Sequence, residues 1–207
     1  MKIVLKLSRL SYPDLFKPGT PPPGSASGPK FGGQFIIEPT GENATTVKNA
    51  ILAVAKEKFG DNFATFLKAL PKDKKCLRVG NENLDNNGNV RDGYKDMLYV
   101  VARNKARPVV VDQARRPLTE ADGKPYGGCY VNVSLDIYAL DKPGQGKSVN
   151  ATLLGVQFAG EGESFGGATG SADDFDDESG GAGDGADPFG DSGASTPAAA
   201  EEIDPFA

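Results

Sequence analysis

The sequence predicts a mainly β domain, a barrel of mostly antiparallel strands with inserted α-helices, followed by an acidic tail. Short runs of alternating apolar and polar residues recur along the chain, and one segment of helical periodicity interrupts them. No Lys or Arg follows Lys147, whereas 13 of the 28 acidic residues lie beyond Gly160. We therefore expect a folded domain over residues 1–160 and a disordered, Gly-rich tail over 161–207.

The first strand is predicted in "MKIVLKLSRLSY", where Ile3, Leu5 and Leu7 alternate with Lys2, Val4 and Lys6. Residues 17–33, "KPGTPPPGSASGPKFGG", are so rich in Pro and Gly that a long flexible loop is expected there. The second strand, "QFIIEP", follows this loop and stops at Pro39.

A helical insertion is predicted at about residues 44–70. Apolar residues of "NATTVKNAILAVAKEKFG" recur three and four positions apart, as on one face of an α-helix. Asn43 or Thr45 is expected to cap the start of this helix, and Gly60 is expected at its C-terminal end. A shorter helix follows and ends before Pro71.

The rest of the domain is predicted to be β-structure. Two runs rich in β-branched residues, "MLYVVAR" (97–103) and "RPVVVDQ" (107–113), are joined by a tight "NKA" connection. "CYVNVSLDIYAL" alternates most regularly, with Val131, Val133, Leu135 and Ile137 on one face. "VNATLLGVQFA" completes five or more strands, which suit a small barrel.

Composition excludes several function classes. The chain has no His and only two Cys, so neither a zinc site nor a His-dependent nucleophile is expected. The sequence contains no long apolar run, so no membrane span is predicted. The two cysteines are isolated and no signal peptide is recognised, which indicates a reduced, cytoplasmic protein.

Charge points to a polyanionic partner. Residues 1–160 carry all 23 basic residues and 15 acidic ones, a net charge of +8, although the whole chain has −5. Basic residues alternate with aromatic ones, the combination that binds phosphates and stacks on bases. The candidate nucleic-acid-binding residues are Tyr12, Lys17, Lys30, Phe31, Arg78, Arg91, Tyr94, Lys95, Tyr99, Arg103, Lys105, Arg107, Arg115, Arg116, Tyr126 and Tyr130.

Two alternatives remain open. Asp112, Asp122 and Lys124 imitate the carboxylate and lysine arrangement of Mg²⁺-dependent nucleases, although "ADGK" is also an ordinary turn. Alternatively, the chain is an adaptor that acts through its tail alone.

Three segments carry a family resemblance: "ARNKARPVVVD" (102–112), "PYGGCYVNVSLDIYA" (125–139) and "LLGVQFAGEGESFGG" (153–167). In these the chain resembles a phage and prophage family of single-stranded-DNA-binding proteins with an OB-fold. The resemblance implies a basic, aromatic groove, no enzymatic activity, no cofactor, and a place in phage DNA replication or recombination in the host bacterial cytoplasm. Weaker binding of duplex DNA and homodimer formation are left open.

The tail ends in "EEIDPFA", and the tails of bacterial and phage single-strand binders generally end in acidic residues, Pro and Phe, whereas here Ala207 follows Phe206. The acidic run is expected to cover the basic groove when DNA is absent. Asp204, Pro205 and Phe206 are the candidate residues for binding replication or recombination proteins.

Overall fold

The computed structural model describes residues 1–21, 28–144 and 146–165. The predicted disordered tail beyond residue 165, with Asp204, Pro205 and Phe206, lies outside these described residues. Within them, no helix is long and apolar enough to cross a membrane.

The fold is a seven-stranded mixed sheet with two helices between its second and third strands. The strands and helices are β1 (Lys2–Gly19), β2 (Lys30–Ile37), α1 (Glu42–Phe59), α2 (Phe63–Ala69), β3 (Leu77–Val79), β4 (Leu98–Asn104), β5 (Val109–Val111), β6 (Tyr130–Lys142) and β7 (Gly146–Gly160). The sheet order is β3-β4-β2-β1-β6-β7-β5, and among these strands of the described residues only β5 and β7 pair in parallel. The predicted mainly β, mostly antiparallel class is confirmed.

Cys76 joins the two sides of the curled sheet. Its amide donates a 2.9 Å hydrogen bond to the carbonyl of Val149 in β7, and its carbonyl accepts a 2.8 Å bond from Val101 in β4. The side-chain amide of Asn104 adds a 2.8 Å bond from the end of β4 to Leu153 in β7. These bonds connect strands that lie far apart in the sheet order, which gives the sheet its OB-fold-like barrel form.

The core lies inside this curled sheet and beneath α1. Val131, Val133, Leu135 and Ile137 of β6 are all fully buried, as their alternation predicted. The buried face of α1, which includes Val47 and Ala50, belongs to the same apolar cluster. The helical insertion is confirmed, although α1 begins at Glu42 rather than at about residue 44.

The predicted loop over residues 17–33 is wrong at both ends. β1 continues to Gly19 and β2 begins at Lys30, because the two strands form a long hairpin in which Gly19 pairs with Lys30. Register shifts on either side of Asp14 accommodate Pro13 and Pro18 in β1. Lys17, Lys30 and Phe31 therefore lie on strands and not in a loop.

The predicted cap of α1 is also wrong. Gly41 occupies the N-cap position, and the side-chain amide of Asn43 instead exchanges hydrogen bonds with the backbone of Lys6. At the other end Gly60 has a positive φ of 66°, but its ψ of −152° is not that of a left-handed helical residue.

The tight "NKA" connection does not make a hairpin. β4 pairs with β2 and β3, whereas β5 pairs with β7 at the opposite end of the sheet order. The connection therefore carries the chain across the barrel.

Candidate nucleic-acid interface

A continuous hollow crosses the barrel and is lined by residues of β1, β2, β3, β4, β6 and β7. It consists of two adjoining depressions that share Lys30, Val101 and Arg103. We call it the basic groove and define it by the side chains of Tyr12, Asp14, Lys30, Gln34, Asp73, Lys75, Arg78, Val101, Arg103, Lys105, Tyr138, Asn150 and Thr152.

The groove carries an excess of unpaired positive charge. Five basic side chains line it against the two carboxylates of Asp14 and Asp73. Within the described part of the chain, none of these five forms an ion pair. Arg78 is instead oriented by the backbone carbonyl of Lys75, which accepts a 3.0 Å hydrogen bond from its Nε. The charges are therefore free to neutralise phosphates.

Tyr12 lies at one end of the groove. Its side chain is 48% exposed, and its backbone has a positive φ of 48° at the irregular part of the β1–β2 pairing. The Arg91 guanidinium carbon lies 5.8 Å from the centre of its ring. Tyr12 also borders a neighbouring depression that contains Arg91 and Phe165. An exposed ring beside basic groups is suited to base stacking.

The structure brings together part of the predicted set. Tyr12, Lys30, Arg78, Arg103 and Lys105 line the groove, and Arg91 lies just beyond Tyr12.

Two predicted stacking residues belong to the core, and their selection was wrong. Tyr94 is 1% exposed and Tyr99 is 3% exposed, and their rings pack edge to face with centres 5.1 Å apart. The Tyr94 hydroxyl donates a 2.8 Å hydrogen bond to Gln34. Burial of this kind leaves no ring face for a base.

The remaining candidates are placed outside the groove. Lys17 pairs with Glu120 at 2.7 Å, Arg107 lies 5.5 Å from the ring centre of Phe16, and half-buried Phe31 pairs in register with Asn104. Lys95, Arg115 and Arg116 are exposed, while Tyr126 lies in the loop before β6 and Tyr130 is the first residue of β6.

Tyr138, Asn150 and Thr152 line the groove but were not among the predicted residues. Tyr138 lies on the face of β6 opposite to the buried Val131–Ile137 series, so the alternation of that strand was a usable signal.

Comparison with known proteins identifies the family. The family model for the single-stranded-DNA-binding protein of Enterobacter phage Enc34 matches residues 1–185. The chain belongs to the Enc34 family. Protein p50 of Acyrthosiphon pisum secondary endosymbiont phage 1 is 38% identical over 182 residues, which are 86% of this chain and 94% of p50.

Solved structures share the fold. The single-stranded DNA-binding protein from bacteriophage Enc34 in complex with ssDNA has a TM-score of 0.64 at 24% identity, covering 80% of this chain and 89% of that one. The single-stranded DNA-binding protein gp2.5 of bacteriophage T7 has a TM-score of 0.52 at 12% identity, covering 82% and 97%.

In this Enc34-family chain the three residues of the nuclease alternative have separate partners. The Nε of Arg116 donates a 2.6 Å hydrogen bond to the Asp112 carboxylate. The backbone amide of Arg116 donates to the same carboxylate and holds the pKa of Asp112 below its usual value. The Asp122 carboxylate accepts bonds from the amide and hydroxyl of Thr119, and the amide bond lowers its pKa. Lys124 pairs with Glu161. Over residues 1–21, 28–144 and 146–165, no cluster of carboxylates is arranged to hold a metal ion.

Residues 161–165, which the sequence assigned to the tail, pack on the barrel and are called here the C-terminal strap. The Tyr126 hydroxyl donates to Glu161 at 2.7 Å, and Arg9 donates to the carbonyl of Glu163 at 2.8 Å. The Phe165 ring centre lies 4.2 Å from the Arg9 guanidinium carbon, and the ring contacts the cluster formed by Ile36, Tyr94 and Tyr99. The packed chain therefore continues at least five residues beyond the predicted boundary at residue 160.

Gly93 makes room for the strap. A Cβ at this position would overlap the Phe165 ring, and its φ of 78° is unfavourable for other residues.

Proposed function

We propose that this protein binds single-stranded DNA along the basic groove, without catalysis or a cofactor. The observation that carries the proposal is the continuous groove, in which five basic side chains form no ion pair with any described residue and lie beside Tyr12 and Tyr138. Membership of the Enc34 family supports it, since the Enc34 protein is a single-stranded-DNA-binding protein that has been solved in complex with ssDNA.

The proposed mechanism has two parts. Lys and Arg neutralise phosphates, which releases counterions and makes binding depend strongly on salt. Tyrosine rings stack on bases, and because every base has a π-face this contribution is largely independent of sequence. Stacking requires unpaired bases, so duplex DNA binds more weakly.

The acidic tail is proposed to regulate this binding. The chain beyond residue 165 contains Asp and Glu but no Lys or Arg, so it can compete with DNA phosphates for the groove. DNA would release it, and Asp204, Pro205 and Phe206 would then be available to replication or recombination proteins in the bacterial cytoplasm.

The test is fluorescence anisotropy with labelled oligo-dT at two salt concentrations, with duplex DNA as competitor. The double substitution of Arg78 and Arg103 by Ala removes two groove charges. We expect weaker binding and a slope of log K against log salt that is shallower by about 1.4, since each single-strand phosphate contributes about 0.7.

The matched control is the double substitution of Arg115 and Arg116 by Ala, which removes the same charge from exposed positions outside the groove. Equal losses in both double variants would refute the groove as the binding site. Absence of oligo-dT binding by the unmodified chain would refute the function.

A further inference from the structure

Asp14 is a carboxylate placed among the cations of the basic groove. It lies on β1 at a break in the pairing register, opposite Gly32, and lines the same depression as Tyr12, Lys30 and Arg103. A Cβ on Gly19 would overlap the Asp14 carboxylate, so the glycine leaves the space that this group occupies. The side chain therefore has a defined place beside the exposed Tyr12 ring.

The Asp14 carboxylate has no protein partner in the described part of the chain. It accepts no hydrogen bond there and forms no ion pair, even though Arg103 lies close enough to influence it. Partial burial raises its pKa, an effect that exceeds the opposing effect of the Arg103 charge. The residue is nevertheless exposed, so both carboxylate oxygens are open to donors that a ligand supplies.

Single-stranded DNA, the ligand proposed for this groove, carries hydrogen-bond donors on its bases and negative charges on its phosphates. Phosphates are repelled by Asp14 and attracted by Lys30 and Arg103, so the carboxylate faces base edges and not the backbone. An ionised carboxylate only accepts hydrogen bonds, and its two oxygens suit two parallel donors.

We propose that Asp14 is a specificity-determining residue that accepts hydrogen bonds from a base next to Tyr12 and favours guanine over thymine. This inference rests on the proposed single-strand binding. The Watson–Crick edge of guanine presents the N1–H and the N2 amino group side by side, which matches both carboxylate oxygens. Thymine presents one N3–H between two carbonyl oxygens, and these repel the carboxylate.

The experiment compares affinities of the full chain for three oligonucleotides of about 16 residues, near the upper end of a single OB-fold site. One is all thymidine, one carries four spaced guanines, and one carries four inosines, which keep N1–H but lack the N2 amino group. We expect guanine to be favoured over thymine by about fivefold, the lower end for a bidentate contact with a base, with inosine in between.

Asp14→Asn should reduce the guanine preference to less than about twofold while binding of oligo-dT becomes tighter, because the acceptor pair and a negative charge are both lost. Asp73→Asn is the matched control, since it removes the same charge from the other half of the groove. It should tighten binding but keep the preference. Asp14→Glu retains a carboxylate and should keep a preference for guanine, which excludes a folding defect as the cause.

Equal affinity of the unmodified chain for guanine and thymine, with oligo-dT still bound, would overturn this inference and leave the proposed function intact. A guanine preference that survives Asp14→Asn would also overturn it. Absence of binding to all three oligonucleotides would overturn the proposed function as well.

Discussion

At the scale of single residues, Tyr12 and Tyr130 form a matched pair of exposed tyrosines. Tyr12 is 48% exposed in the groove, and Tyr130 is 40% exposed in a separate depression beside Leu7 and Arg9. Tyr12→Ala should weaken oligo-dT binding by about 1–3 kcal/mol, the usual contribution of one stacked base, whereas Tyr12→Phe should retain most of it. Tyr130→Ala should leave the affinity unchanged.

Anisotropy titrations of the three variants at one salt concentration measure this difference. A larger loss of oligo-dT affinity in Tyr130→Ala than in Tyr12→Ala would place the stacking surface in the depression beside Leu7 and Arg9 and not in the basic groove.

The two buried thiols give the protein a pH-dependent stability. Burial raises the pKa of both Cys76 and Cys129 from 9.0 to about 11. The folded chain therefore keeps two protons that the unfolded chain loses above about pH 9. The free energy of unfolding should fall as pH rises from about 9 to 11, and burial of Tyr94, which also raises its pKa, acts in the same direction.

Urea unfolding at about pH 7.5, 9 and 10 measures this effect. Cys76→Ala should show a smaller decrease between the last two values, because one of the perturbed groups is gone. A stability that stays constant up to about pH 10 in the unmodified chain would contradict the prediction.

At the scale of structural elements, the C-terminal strap should stabilise the barrel. Phe165→Ala removes the contact with Arg9 and with the cluster of Ile36, Tyr94 and Tyr99. Because the ring is only half-buried, we expect a loss of about 1–3 kcal/mol in the free energy of unfolding, less than for a fully buried Phe.

Leu7→Ala is the control for this substitution, since Leu7 is apolar but 65% exposed and should cost less than about 0.5 kcal/mol. Urea denaturation of both variants provides the comparison.

The contacts of the strap also lead us to expect that a chain ending at Gly160 is less stable than one ending at Thr169. Equal stability of these two truncations would mean that the strap contributes no net stabilisation.

Elements whose signal is local were predictable from the sequence. β6 has one buried and one partly exposed face, which produces a period of two, and α1 shows the helical period. The extension of β1 to Gly19 was not predictable, because Pro and Gly usually end a strand and only its pairing with β2 keeps it regular. The partner of β5 is equally non-local, since it pairs with β7.

The candidate site shows the same limit. Its charge was predictable from composition, because basic residues rarely lie in a core. Tyr94 has Asp92, Gly93 and Lys95 as neighbours and therefore resembles a loop residue, yet contacts with Tyr99 and Gln34 bury it. Sequence neighbours do not determine which aromatic ring faces the groove, since strand pairing decides it.

At the scale of the whole molecule, the distribution of charge predicts how the tail affects DNA binding. Residues 170–207 contain 11 acidic and no basic residues, so a chain ending at Thr169 changes its formal net charge from −5 to +6. This truncation keeps the strap intact. At low salt we expect the truncated chain to bind oligo-dT roughly tenfold more tightly, which corresponds to ~1.4 kcal/mol. The difference should shrink near 1 M salt, where the screening length falls to about 3 Å.

The charge itself, and not the bulk of the tail, should cause this difference. Replacing Asp173, Asp174, Asp176, Asp177 and Glu178 by their amides in the full-length chain removes five negative charges and keeps its length. This variant should bind oligo-dT with an affinity between those of the full-length and truncated chains, as measured by anisotropy at two salt concentrations. If truncation tightens binding while the amide variant behaves as the unmodified chain, excluded volume and not charge competition explains the effect. If truncation leaves oligo-dT binding unchanged at both salt concentrations, the tail does not regulate the groove, and the adaptor alternative is favoured.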